Sequence, residues 1–209
     1  MKLKMIKNTL LLLTLSSGLF AQIDFGSDLV SRYVWRGTDF GNSASVQPFI
    51  SYSTMGFEMG AWASYPLTND AIEANENDLY LSYTMGDATL TFTDYYFPEG
   101  LNFTDYSDYH ILELSASYAF GPLSVLAAYN ISGDDDNSYY AELGYDIIST
   151  DELGLNAVLG LGNGAYVLDV DPNIVNLALT ASKGNYWASY ILNPDADTNF
   201  LVFGYSLEF

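Results

Sequence analysis

The closing stretch "NFLVFGYSLEF", residues 199–209, decides the fold. Phe203, Tyr205, Leu207 and Phe209 take every second position, and Gly204, Ser206 and Glu208 fill the places between. A period of two is that of a strand with one apolar and one polar face. The same split recurs upstream. Leu79, Leu81, Tyr83 and Met85 alternate with Asp78, Ser82 and Thr84, and Leu123, Val125, Ala127, Tyr129 and Ile131 alternate with Ser124, Ala128 and Asn130. No helical spacing follows residue 22. The pattern predicts strands over 22–36, 44–54, 57–66, 77–86, 88–97, 109–120, 122–132, 138–147, 153–163, 173–183, 186–193 and 199–209.

The connections alternate in length, with "TMG", "GD" and "FGP" on one side and "LTNDAIEANE" and "PEGLNFTDYSD" on the other. An even number of antiparallel strands, each near the 9–11 residues that cross a bilayer when tilted, joined by short turns at one end and long loops at the other, is what a membrane barrel requires. In hydrocarbon such a sheet must close, because an open edge leaves backbone groups unpaired. The expected fold class is therefore all-β: a transmembrane, up-and-down antiparallel barrel of about 12 strands. Tyr33, Trp35, Tyr65, Tyr96 and Tyr109 on the loop side, and Phe57, Phe120, Tyr145 and Tyr186 on the turn side, are expected to form interfacial girdles. Asp94, in phase with lipid-facing Leu90 and Phe92, and Pro48, inside the second segment, break the pattern, and a bulge near each would reconcile them.

At the other terminus, Lys2, Lys4 and Lys7 precede a short apolar run from Leu10 to Phe20 that ends at Ala21. This reads as a secretory signal peptide over residues 1–21, leaving 22–209 as a single barrel domain. The chain has no cysteine, so disulfides and thiol chemistry are excluded. Beyond residue 21 the basic residues are Arg32, Arg36 and Lys183, against 26 carboxylates. That balance excludes nucleic acid as a partner and makes cations the natural counter-charge.

Phe209, closing an alternating apolar segment, resembles the C-terminal signal that the barrel-assembly machinery of Gram-negative outer membranes reads. A second resemblance lies in "SRYVWRG", "ASVQPFISYS" and "GFEMGAWASY". Tyr33, Arg36, Gly37, Val46, Gln47, Tyr52, Gly56, Phe57, Gly60, Trp62 and Ser64 resemble the start of the TorF-type porin family of small Gram-negative outer-membrane β-barrel proteins. The match covers about residues 27–65 and departs at Thr38 and Asp39, where the family tends to have Ile-Ser. It implies an integral outer-membrane, porin-like role among lipid and lipopolysaccharide, and carries no substrate.

With Leu29, Tyr33 and Trp35 facing lipid, Arg32 and Arg36 would point into the barrel. A turn centred on Thr54 and Met55 would pair Gln47 with Trp62 and Ser51 with Glu58, and Arg36 would pair with Gln47. The expected inward cluster is Arg32, Arg36, Gln47, Ser51, Glu58, Trp62, Glu113 and Glu142, with the glutamates as acceptors and Trp62 as a cation–π partner of Arg36. Two readings stand side by side: ion pairs that hold a narrow barrel shut, or the fixed positive element of a selective constriction. Small inward residues leave room for a narrow pore, while Phe49, Trp62, Tyr80 and Tyr140 are expected to narrow it.

Acidic loops, with Asp70, Glu73, Glu76, Glu99, Asp105, Asp108, Asp134, Asp135, Asp136, Asp169, Asp171, Asp195 and Asp197, would concentrate cations at the mouth. "GDDDN", residues 133–137, lacks the spacing of a calcium loop and reads as a solvated turn, although divalent ions bridging such loops to lipopolysaccharide are a further expectation. The only histidine, His110, lies beside Asp108, which thinly supplies an enzyme. The expected function is a cation-preferring channel for small solutes, not an enzyme, with no cofactor and no metal. A non-conducting structural or surface-binding barrel is the alternative, and a hydrolase stands behind both.

Overall fold

The computed structural model describes residues 21–68, 75–98, 109–169 and 171–209, and the statements below concern these. The elements in chain order are β1 (Gln22–Val30), β2 (Val34–Trp35), β3 (Thr38–Asp39), β4 (Ser45–Thr54), β5 (Phe57–Pro66), β6 (Glu76–Met85), β7 (Ala88–Tyr96), β8 (His110–Phe120), β9 (Leu123–Ser132), β10 (Tyr139–Ser149), β11 (Gly154–Gly162), a 3-10 helix (Gly164–Tyr166), β12 (Asn173–Lys183), β13 (Tyr186–Asn193) and β14 (Thr198–Glu208). β2 and β3 pair only with each other, and the other twelve strands close into one antiparallel barrel. The seam joins β1 to β14, from Gly26 opposite Glu208 to Val30 opposite Gly204. Phe209 extends it, donating its N–H to Phe25 O at 3.1 Å and stacking on the Phe25 ring at 5.7 Å.

The wall is apolar outside and polar inside. Ile23, Ile50, Leu81, Leu90, Leu201 and Phe203 are exposed, whereas Ser51, Ser82, Thr89, Thr91 and Ser189 are buried. An exposed apolar belt of this extent is unfavourable in water and is what contact with lipid requires. Tyr65, Phe57, Phe120, Tyr145 and Tyr186 face outward near the strand ends, as expected. Tyr96 shares that outward phase but is buried, its ring stacked on His110 at 4.6 Å.

Inward aromatics lie flat against the wall over glycines of neighbouring strands: Phe49 over Gly26, Tyr80 over Gly60, Tyr140 over Gly160 and Trp187 over Gly204. A Cβ at these four glycines would stand 2.8, 2.5, 2.1 and 1.9 Å from the aromatic side chain. Missing side chains thus make room for rings that would otherwise cross the lumen.

Several expectations need correction. β1 ends at Val30 instead of running to residue 36. The first short turn is Met55-Gly56, with φ of 50° and 84°, so Ser53 faces Glu58 and Phe49 faces Trp62, and the expected Gln47–Trp62 and Ser51–Glu58 pairs do not form. Two adjacent left-handed residues make the tight turn that matches strand twist, and glycine at the second place makes it cheap. The expected bulges do not account for Asp94 or Pro48: the register runs unbroken through Asp94 and through Pro48 opposite Ser27, and the shift at Leu112/Glu113, next to Asp94, lies on the β9 side of β8 and leaves the phase of Asp94 unchanged. Asp94 keeps its outward phase because His110 Nδ1 lies 2.6 Å from its Oδ1, with both side chains buried. The expected signal peptide and Asp70, Glu73, Glu99, Asp105 and Asp108 lie outside the described residues.

Candidate functional site

After Val30 the chain leaves the wall. Ser31 still donates its N–H to Phe203 O at 2.8 Å and accepts the Phe203 N–H on its Oγ at 2.9 Å, and then β2 and β3 form a hairpin folded into the barrel. Its tip is Arg36-Gly37, with φ of 51° and 83°. Gly37 is pressed against the wall so closely that a Cβ would lie 1.9 Å from Val175 O on β12. Its own carbonyl accepts Asn193 Nδ2 of β13 at 3.2 Å.

Aromatic contacts seat the hairpin on both sides. Tyr33 packs on Trp62 at 5.5 Å and on Phe40 at 5.1 Å, Trp35 on Tyr95 at 5.3 Å and Tyr166 at 5.9 Å, and Phe40 stacks on Phe97 at 6.2 Å. Tyr33 and Trp35 thus belong to the interior and not to a lipid-facing girdle. The cause is the early end of β1, after which strand phase no longer governs where side chains point.

Arg36 reaches across the barrel to β8. Its Nη1 and Nη2 donate to Glu113 Oε2 and Oε1 at 2.5 and 3.0 Å, and Nη1 also donates to Tyr166 OH at 2.6 Å. The guanidinium lies over the rings of Trp35, Tyr140 and Tyr166 at 4.2, 4.6 and 5.5 Å. The side chains of Arg36 and Glu113 are only 9% and 2% exposed, so each charge depends on the other. Burial alone would push the Arg36 pKa down, but the facing Tyr166, Tyr95 and Glu113 oxygens outweigh it and hold the guanidinium firmly charged. Arg32 pairs with Asp39 at 3.1 Å inside the same hairpin, 5.4 Å from the Phe200 ring. Burial raises the Asp39 pKa, and Arg32 pulls it the other way.

Of the expected cluster, the structure brings together Arg36 and Glu113, with Trp62 joined through Tyr33 and Glu142 next to Tyr140. Glu142 Oε2 accepts Tyr140 OH at 2.6 Å, and that hydroxyl accepts Asn176 Nδ2 at 3.2 Å. Arg32, Ser51 and Glu58 are not brought together, since Arg32 is held by Asp39. Glu58 instead accepts Ser53 Oγ at 3.0 Å and Tyr80 OH at 2.9 Å, and Ser51 is buried opposite Gly60. Gln47 faces Asp28 rather than Arg36, and its Nε2 donates to Ser64 Oγ at 3.4 Å. Tyr166, Tyr95, Phe40 and Asn193 are missed by strand periodicity. The available signal was Arg36-Gly37 between "VW" and "TD", a two-residue hairpin turn inside a segment that otherwise alternates.

The outer loops brace this arrangement. Asp134 accepts Asn130 Nδ2 at 2.8 Å and the N–H groups of Ser138 and Asp136 at 2.8 and 3.1 Å, so "GDDDN" is a capped turn. Partial burial raises the Asp134 pKa, but these donors prevail and hold it below the usual carboxylate range. Ser138 Oγ in turn accepts the Ala165 N–H at 2.7 Å, and Asn163 Oδ1 accepts the Tyr139 N–H at 2.7 Å. These bonds fix the 3-10 helix whose last residue, Tyr166, meets Arg36. Among the described residues no group of three or more His, Asp or Glu side chains converges as a metal site.

No curated protein is similar to the chain by sequence. One solved structure, described as "Unveiling the Mechanism Behind the in-meso Crystallization of Membrane Proteins", superposes with a TM-score of 0.51 at 10% identity, over 88% of this chain and 83% of that chain, which shows the fold alone. Two mutants of Rhodopseudomonas blastica porin align over 91% of this chain and 100% of theirs at 10% and 12% identity, with TM-scores of 0.37. The TorF-type label has no counterpart in these matches. A family model described as "Bacterial protein of unknown function (Gcw_chp)" matches residues 20–203, and the chain, a twelve-stranded barrel with a hairpin folded into it, belongs to that family.

Proposed function

We propose that this protein is a porin-like channel of the Gram-negative outer membrane, passing small solutes with a preference for cations, and that the β2–β3 hairpin is its constriction. The observation that carries this reading is the hairpin crossing a closed barrel above an acidic lumen. On the wall strands the inward phase holds Asp24, Asp28, Glu58, Glu142, Asp146 and Glu208. Both arginines sit in the hairpin and are engaged by Asp39 and Glu113. Lys183, opposite Tyr186, is exposed at the turn end. A low-dielectric tube walled by fixed carboxylates favours cations over anions. Small hydroxyl residues wet the wall, and the aromatic rings of Phe49, Tyr80, Tyr140 and Trp187 lie over its glycines.

A second reading, a barrel held shut, is favoured by the hairpin's contacts with β5, β7, β8, β10, β12, β13 and β14. The reversal potential of refolded protein in a planar bilayer under a salt gradient separates the two. Cation-selective steps are expected; anion selectivity would contradict the proposal, and a correctly folded barrel that never conducts would select the second reading. The proposed partners are outer-membrane lipid and lipopolysaccharide, with calcium bridging the acidic loops, and the assembly machinery reading the terminal strand through Phe209. No catalytic role is proposed: the His110–Asp94 pair stands on the outward phase of β7 and β8, away from the lumen.

A further inference from the structure

The start of β6, "END", places Glu76 and Asp78 two residues apart on the inward face, where their carboxyl groups lie beside each other. Both are buried, at 2% and 8% exposure. Glu76 stands opposite Ser64, and Asp78 stands between Trp62 on β5 and Tyr95 on β7. The Tyr33 hydroxyl of the hairpin faces Glu76. The ionisable groups around Asp78 are Glu76, Asp94, Glu113, Tyr33 and Tyr95, none of them a cation. Neither arginine serves this pair, since Arg32 is bound by Asp39 and Arg36 by Glu113.

A second observation is independent of charge. Glu76 Oε2 and Asp78 Oδ1 are each buried with no hydrogen-bond partner. An orphaned carboxylate oxygen in a protein interior is strongly disfavoured unless a proton, a donor or a cation meets it. The surroundings offer further oxygens: Ser64 Oγ, whose residue is fully buried, and the amide of Gln47, which already touches it.

From this juxtaposition we propose that Glu76 and Asp78 form a binding site for one divalent cation of the calcium type, lodged between the β5–β6 wall and the hairpin. Two adjacent carboxylates carry the charge a divalent ion neutralises, and calcium accepts irregular sets of carboxylate, hydroxyl, amide and water oxygens. Bound there, the ion would bridge wall and hairpin through Tyr33 and stabilise the seated hairpin. The site does not depend on whether the barrel conducts.

Terbium, a calcium mimic that emits when an aromatic ring close by absorbs, tests this with the refolded full chain in detergent. Tyr33 and Trp62 flank the carboxyl pair and would sensitise it. The expected results are saturable terbium emission displaced by calcium, a calcium-dependent rise in the melting temperature, loss of both in Glu76→Gln/Asp78→Asn, and weakened emission in Trp62→Phe, which keeps the carboxylates. Asp135→Asn/Asp136→Asn, in an outer loop, should change neither. Emission and calcium stabilisation that survive Glu76→Gln/Asp78→Asn would place the ion on the loops and overturn the proposal. Wild type with neither response would overturn it too, leaving the two acids to share a proton. If Glu76→Gln/Asp78→Asn does not fold, the Trp62→Phe comparison decides, and unchanged emission there counts against the site.

Discussion

Arg36 and Glu113 form the buried charge pair on which the hairpin closes, so removing one partner leaves the other desolvated and uncompensated. Arg36→Met is expected to cost about 3–5 kcal/mol of unfolding free energy in a urea titration of the refolded barrel, and Arg36→Met/Glu113→Gln to recover a large part of that loss. A fully additive pair of losses would contradict direct pairing. One residue on, Gly37 combines a left-handed φ with backbone contact to Val175, and no side chain satisfies both. Gly37→Ala should therefore displace the hairpin tip, at a cost of at least about 1–3 kcal/mol. The measurement is tryptophan emission: Trp35, wedged between Tyr95 and Tyr166, should shift towards the solvent-exposed wavelength, and an unchanged spectrum would show that the tip tolerates the methyl group.

The outer loop of residues 133–138 is built on the Asp134 carboxylate, which is charged when it accepts from Asn130, Asp136 and Ser138. Its pKa is lowered on folding, so the stabilisation is fully present above the ordinary carboxylate value of about 3.9 and is lost as pH falls through the lower folded value. Amide exchange at Ser138 and Asp136, corrected for its intrinsic pH dependence, should accelerate below about pH 4 in wild type and be fast already at pH 6 in Asp134→Ala. Equal protection in both would contradict the capping role. The strands were legible because lipid outside and water inside impose period two on every one of them, as in "DLYLSYTM". The hairpin was not, because residues 31–36 happen to continue that alternation while the Arg36 side chain answers to Glu113 and Tyr166, 77 and 130 positions away. Asp94 looked like an error of phase and is explained by a residue on the next strand, His110, which no local pattern in β7 announces.

At the scale of the molecule, the inside-out wall predicts that neighbouring positions respond oppositely to charge. Leu81, exposed on the outward phase of β6, should lose about 2–4 kcal/mol on substitution by Arg in a bilayer refolding titration. Ser82→Arg, entering an acidic lumen one residue away, should lose much less, and equal penalties would contradict the assignment of faces. The hairpin of residues 31–44 is the proposed constriction of an otherwise passable barrel. Its most direct test is single-channel conductance in a planar bilayer, comparing wild type with a variant in which residues 33–40 are replaced by a glycine-serine segment of equal length. Cation-selective steps several-fold larger in the variant than in wild type are predicted. Equal conductance in the two proteins, or a variant that folds and stays sealed, would contradict the hairpin's role as the constriction.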